Sequence, residues 1–255
     1  MTQISALVAE GVLELTGGPD TAAAAGRYYS REFIQHSPVF PGGWDGLQAS
    51  IEQAKQQGAT YELLRSFGEG DLAVLHARVI GFAPVPLILI NLYRVVDGKI
   101  AEHWEAMQPE ATETVSGNGM VDGPTEPADL DRTDENRELV RRLIENVFVG
   151  GDAQAVGEYF DGDALIQHNP LIPDGVSGLA KALDELAQEG RTVEYTKLHR
   201  IVAEGNFVFT QSEGKLGGVP HSFYEVFRVA GGKVAEHWDV ACEVPAQLPH
   251  DNGVF

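Results

Sequence analysis

The chain repeats itself, and no other feature restricts its fold as much. Displaced by 132 positions, IQHSPVFPGGWDGL (Ile34 to Leu47) lies on IQHNPLIPDGVSGL (Ile166 to Leu179) without a gap. Displaced by 134, LYRVVDGKIAEHWEA (Leu92 to Ala106) lies on VFRVAGGKVAEHWDV (Val226 to Val240). At the displacement of 132 Leu7 and Val8 also fall on Leu139 and Val140 and Tyr28 on Phe160, while SGNGMVDGP (Ser116 to Pro124) resembles HDNGVF (His250 to Phe255). A period this long lies far above that of solenoid repeats, so a whole domain is duplicated. A chain of 255 residues could be one large domain or two; the repeat selects two, and 43% hydrophobic residues suffice for a core in each.

The boundary falls in PEATETVSGNGMVDGPTEPADLDRTDE (Pro109 to Glu135), which is rich in Pro, Gly, Thr and acids and has no helical or strand period. The expected division is a first domain at 1–115, a connection at 116–133 and a second domain at 134–255. TDEN (Thr133 to Asn136) offers a helix start before Leu139, Val140, Leu143, Ile144 and Val147, which share one helical face. Ile4, Leu7, Val8, Val12 and Leu15 form the corresponding face in the first copy. Each copy then continues with a short helix (Thr21 to Tyr29; Ala153 to Phe160), the Q-H-S/N-P loop, and a third helix (Gly46 to Gln57; Gly178 to Gln188) closed by Gly58 or Gly190. Four strand-like runs follow, in the first copy TYELLRSFG, LAVLHARVIGF, LILINLYRVV and KIAEHWEAM. Helices followed by strands indicate an α+β domain with helices packed on one face of a curved antiparallel sheet. Asp97-Gly98 and Gly231-Gly232 suit type I′ turns between the last two strands.

A net charge of −20, spread over both copies, argues against electrostatic binding of nucleic acid or anionic membrane. One cysteine, Cys242, leaves no internal disulfide or multi-cysteine metal site, and an inert small residue is expected there. The N-terminal MTQISALVAEGVLELTGG lacks a basic region and is interrupted by Glu10 and Glu14, so the expected compartment is the cytoplasm. No apolar run reaches the ~20 residues of a membrane span. No H-x-x-x-H or H-E-x-x-H spacing occurs, and neither a metal nor an organic cofactor is expected.

The three short helices, the Q-H-N/S-P segment and the terminal hairpin F/Y-R-V-x-D/G-G-K-I/V-x-E-H-W-D/E resemble the SnoaL-like branch of the nuclear transport factor 2-like superfamily, twice over. The resemblance implies two tandem cone-shaped domains, each three helices on a curved antiparallel sheet with a deep pocket between. It also implies an intramolecular pseudo-dimer, with further homodimerisation open. Members of that superfamily include polyketide cyclases, ketosteroid isomerases, dehydratases, epoxide hydrolases and binding modules without chemistry, and most of the enzymes use no cofactor.

Such chemistry on a carbonyl compound needs a base to remove a proton beside the carbonyl and a donor for the enolate. The second copy has the fuller set. His168 and Asn169 lie in the loop, and His221, Phe223, Glu225 and Phe227 alternate along one strand. His237 and Asp239 share a face of the next, with Trp238 and Tyr195 as further pocket candidates. A regular two-residue turn would set Glu225 opposite Trp238, whereas a bulge would set Glu225 opposite Asp239 and Phe227 opposite His237. Both registers remain open; the second gathers acids and imidazoles beside aromatic rings. The first copy offers His36 and Glu105 as catalytic candidates and Trp44, Asn91, Tyr93, His103 and Trp104 as pocket walls, with Asn91 replacing Glu225 and Leu87 replacing His221. Glu102 and Glu236 are expected to pair with Arg94 and Arg228. The expected function is acid-base catalysis on a small apolar carbonyl compound, as an aldol-type cyclase, isomerase or dehydratase, centred on the second pocket. A non-catalytic binding or assembly module is the alternative.

Overall fold

The computed structural model describes residues 2–255. The chain divides into two compact units, 1–110 together with 245–255, and 111–244. This differs from the division the repeat suggests: much of the expected connection packs within the second unit, and the last residues return to the first.

In the first unit, α1 (Gln3–Gly17) is capped by the Thr2 hydroxyl, which accepts from the Ser5 amide, and α2 (Thr21–Tyr28) by the Asp20 carboxylate, which accepts from Ala23. After α3 (Gly43–Gln56) come the antiparallel strands β2 (Thr60–Glu69), β3 (Leu72–Ile80), β4 (Leu87–Val96) and β5 (Lys99–Pro109). Gly58 has φ +82°, the left-handed conformation expected of a residue that ends a helix. The sheet gains a strand that the sequence reading left inside helix and loop: β1 (Tyr29–Gln35) pairs parallel with β5, giving the order β1-β5-β4-β3-β2. Val8, Val12, Leu15, Ala24 and Ala25 on the helices pack against Ala73, Leu75, Tyr93, Val95 and Ile100 on the sheet. Burying each of the larger side chains contributes roughly 1.5–3 kcal/mol.

The second unit repeats the plan with local changes. Its first helix, α4 (Thr133–Arg142), begins where TDEN implied and passes into a π-helical turn over Leu143–Val149. A 3₁₀ turn (Ala153–Glu158) stands where α2 stands in the first unit. A two-residue strand β6 (Ile166–Gln167), helix α5 (Val176–Gln188) and strands β7 (Val193–Glu204), β8 (Phe207–Leu216), β9 (Val219–Ala230) and β10 (Lys233–Glu243) complete a sheet of order β6-β10-β9-β8-β7. Both expected hairpin turns have positive φ at both central residues, +50° and +71° at Asp97-Gly98 and +59° and +76° at Gly231-Gly232. Among the described residues no helix is long and apolar enough to cross a membrane, and no group of three or more His, Cys, Asp or Glu is placed to hold a metal ion.

The register is the bulged one. Val229 pairs with Val234, a shift follows before Glu236, and Phe227 then faces His237 and Glu225 faces Asp239. The first unit carries the same irregularity after Arg94, so that Tyr93 faces His103 and Asn91 faces Glu105. One extra residue in the last strand of each sheet therefore decides which side chains share the inner face.

Candidate functional site

Strand alternation sorts the E-H-W-D/E segment into two groups with different surroundings. Glu236 and Trp238 point to one side of the second sheet, His237 and Asp239 to the other. The sequence reading placed His36, His168, Trp104 and Trp238 in the pockets, and all four belong instead to the outer face. His168 stacks on Trp238 with ring centroids 4.7 Å apart, and its Nε2 meets Glu236 Oε1 at 2.8 Å. His36 stacks on Trp104 at 4.8 Å, with its Nε2 2.8 Å from Glu102 Oε1. The outer carboxylates also accept from arginine as expected, Arg94 Nε to Glu102 at 2.8 Å and Arg228 Nε to Glu236 at 2.6 Å. Burial alone would push the Glu236 carboxyl up, but His168 and Arg228 outweigh it and hold it below the usual carboxylate range. These groups tie the Q-H loop to the sheet; the physical reason for the correction is that the parallel strands β1 and β6 end beside the outer face of β5 and β10.

On the inner face the units part. In the first, a cavity lined by α1, α3 and β2–β5 has about 90 Å³ open to the centre of a water molecule, within about 780 Å³ free of protein atoms out to its mouth. Apolar side chains dominate the lining, among them Val12, Leu47, Ile51, Leu87 and Leu89. Glu105, His103, Asn91, Tyr93 and Tyr61 are among its polar residues, and Lys55, also in the lining, gives its Nζ to the Gly18 carbonyl and the Thr21 hydroxyl. Glu105 is 4% exposed; the Ser37 hydroxyl donates to its Oε1, while Oε2 lies 3.9 Å from His103 Nε2. Burial, only partly offset by Ser37, raises this carboxyl to about 7. His103 stacks on Tyr93 at 4.3 Å, and its Nε2 donates to Asn91 Oδ1 at 3.0 Å. Burial first, and the charge of His36 second, lower it to about 3, so it is neutral at physiological pH. The Tyr61 hydroxyl is buried and has no hydrogen-bond partner among the described residues. Trp44, expected as a wall, instead packs on Tyr29 in the core at 5.6 Å.

In the second unit the equivalent carboxylates and the equivalent tyrosine have hydrogen-bond partners. Tyr195, the counterpart of Tyr61, donates to Glu225 Oε1 at 3.0 Å, and Thr210 donates to Oε2 at 3.1 Å. His237 Nε2 lies 3.5 Å from Glu225 Oε1, its Nδ1 is 3.1 Å from Gln167 Oε1, and Phe227 stacks on its ring at 4.8 Å. Burial opposes the charge on His237, but Glu225 and Asp239 overcome it and the imidazole is raised. Both Asp239 oxygens accept from Asn169 Nδ2, at 2.9 and 2.8 Å; burial raises this carboxyl against the pull of His237 and Asn169. Phe148, Tyr195 and Phe223 pack ring on ring at 5.0 and 4.5 Å, where Leu89 stands in place of Phe223 in the open cavity of the first unit. His221, expected among the catalytic groups, sits at the strand end with Nδ1 on the Val219 carbonyl.

Thus Glu225, His237, Asp239, Asn169 and Tyr195 come together beside Phe223 and Phe227 in a network whose carboxylates have hydrogen-bond donors, while His237 Nε2 has no hydrogen-bond partner among the described residues. Tyr61 and Tyr29 were missed as cavity residues of the first unit. For Tyr61 a signal existed, since it aligns with Tyr195.

The family model of the SnoaL-like domain matches residues 140–237. No curated protein matches the chain. Similar solved structures include TsrD from Streptomyces laurentii (21% identical, 42% of this chain and 91% of that one, TM-score 0.36). Another is the putative polyketide cyclase IdmH from Streptomyces antibioticus (18%, 42% and 93%, TM-score 0.36). A putative isomerase of the SnoaL-like family from Agrobacterium tumefaciens also matches (18%, 42% and 99%, TM-score 0.37).

Proposed function

From the premise that residues 140–237 form a SnoaL-like domain, whose strand order and aligned residues the first unit repeats, we propose that the first unit carries acid-base chemistry on a small, largely apolar carbonyl compound. The observation that carries this reading is Glu105, a carboxyl raised to about 7 in an apolar cavity beside an unpartnered Tyr61 hydroxyl. A base whose pKa lies near the working pH combines a useful ionised fraction with a strong driving force for proton transfer.

In the proposed step the substrate lies against the apolar wall, with its carbonyl oxygen accepting from the Tyr61 hydroxyl. Glu105 Oε2 takes the proton from the adjacent carbon, and the C–H electron pair becomes the enolate, whose oxygen charge Tyr61 stabilises. Glu105 returning its proton to another carbon completes an isomerisation; attack of the enolate carbon on a second carbonyl, with that proton passed to the resulting alkoxide, an aldol cyclisation; and loss of a β-hydroxyl that takes the proton and leaves as water a dehydration. Burial keeps His103 neutral and Asn91 orients it, so no imidazolium beside Glu105 lowers its proton affinity. The second unit, whose acids already have partners, serves in this reading as a structural or binding domain, contrary to the expectation that its pocket is the active one.

The test is exchange of substrate α-protons for deuterium, followed by NMR over a panel of bicyclic and tricyclic ketones. The wild-type chain should catalyse exchange on at least one of them, with Glu105→Gln slower by about 10²–10⁴-fold, the usual contribution of a general base. Undiminished exchange in Glu105→Gln would remove the assignment.

A further inference from the structure

Three hydrogen bonds of the Q-H-S turn in the first unit run to residues that come after the second unit in sequence. Asn252 Nδ2 donates to the Gln35 carbonyl at 2.9 Å, and His36 Nδ1 lies 3.0 Å from the Gly253 carbonyl. His250 Nε2 lies 2.8 Å from the Ser37 carbonyl. Three successive residues are held by three groups of one short segment, and Val254 beyond them is buried. Both nitrogens of His36 meet oxygen acceptors, the Gly253 carbonyl and Glu102, so the ring is clamped from two sides.

The second unit has the matching arrangement, supplied by the segment that follows the first. Asn118 Nδ2 and Ser116 Oγ donate to the Gln167 carbonyl at 3.2 and 2.9 Å, and His168 Nδ1 lies 2.7 Å from the Gly119 carbonyl. Asn-Gly followed by an apolar residue occurs in both segments, Met120 taking the buried place of Val254. Each unit is therefore completed by the segment that follows the other unit. The contact to the carbonyl after the turn histidine belongs to the first unit, where His250 stands in place of Ser116.

Ser37 is the residue whose hydroxyl donates to Glu105. We infer that residues 250–253 are a positioning strap for the candidate site of the first unit, holding the 35–37 turn so that the Ser37 hydroxyl meets the Glu105 carboxyl. The catalytic consequence rests on the proposed role of Glu105; the positioning itself does not.

The experiment compares the full-length chain with His250→Ala/Asn252→Ala and with Asn118→Ala. Hydrogen-deuterium exchange is read over 34–40 and 166–172, and the Glu105 carboxyl is titrated by infrared difference spectroscopy against Glu105→Gln. The double variant should speed amide exchange in 34–40 by roughly fivefold or more, as loss of even one hydrogen bond would, and leave 166–172 unchanged. It should also move the Glu105 midpoint upward, because the Ser37 donor that favours the carboxylate is released. Asn118→Ala should reverse the exchange pattern and leave Glu105 alone. An unmoved midpoint, equal loosening of both loops, or loosening of neither overturns the strap. If the midpoint moves while no ketone is exchanged, the strap stands and the catalytic reading fails; if Glu105→Gln abolishes exchange while the strap variant titrates as wild type, the reverse holds.

Discussion

The inner faces of the two sheets differ at one decisive pair, Asn91 in the first unit and Glu225 in the second. A carboxylate at this position raises the neighbouring imidazole and accepts from Tyr195 and Thr210. An amide at the same position leaves His103 neutral, gives Tyr61 nothing to donate to, and leaves Glu105 as the one ionisable acid in an apolar cavity. A charge compensated at close range supports structure, whereas a carboxyl left without a counter-charge is set for proton transfer. Under the proposed function, the richer set of acids and histidines is the poorer catalytic candidate.

The comparison can be broken most directly at its acids. Glu105→Gln should reduce α-proton exchange by about 10²–10⁴-fold, while Asp239→Asn should leave it within about threefold; equal losses from both would show that the units are not divided in function. Tyr61→Phe should follow with a loss of roughly 10²–10³-fold, the cost of removing one donor to a developing oxyanion, read as a fall in kcat rather than a rise in KM. Leu89→Phe imports the aromatic wall of the second unit and should weaken binding of an apolar fluorescent probe about tenfold or more, whereas Phe223→Leu should not.

A fourth prediction concerns pH. The Glu105 carboxyl is raised from 4.5 to about 7 in the folded chain, so between those values the folded state holds the proton more tightly than the unfolded one. Stability from this group is present below about 4.5 and is lost as pH rises through about 7, by roughly 3 kcal/mol. His103, lowered from 6.5 to about 3, acts in the opposite sense: its contribution is present above 6.5 and lost as pH falls through about 3. Exchange activity should therefore climb through about pH 7 as stability declines. Glu105→Gln should be more resistant to thermal unfolding than wild type above pH 7, a loss of function accompanied by a gain in stability. Smallest in effect, Tyr195→Phe should cost the second unit about 1 kcal/mol through the donor it removes from Glu225, with exchange activity intact.

Much of the fold was legible because it is written in local chemistry. The duplication, the strand runs, the glycine after each third helix and the Asp97-Gly98 and Gly231-Gly232 turns all reflect backbone demands that neighbouring residues meet by themselves. The bulge after Arg94 and Arg228 was one of two open registers, and nothing local decides it. What escaped the sequence depends on distant partners. The parallel strands β1 and β6 are short and have no period of their own. They decide that His36 and His168 stand with Trp104 and Trp238 outside the cavity, although the letters around them suggest an active-site loop. Tyr61 reads as one more strand residue until the fold brings it, with Asn91 and Glu105, to the lining of one cavity.

The crossed attachment of the two following segments has a consequence for the order in which the molecule can be made. The contact between His168 and Gly119 spans 49 residues and can close while the second unit is still emerging. The contact between His36 and Gly253 spans 217, and it waits until the whole of the second unit has been synthesised. Domains made first on the ribosome ordinarily finish first; here the amino-terminal unit is the last to receive its final piece. A nascent chain stalled before residue 250 would carry a cavity whose acid has not yet been set in place.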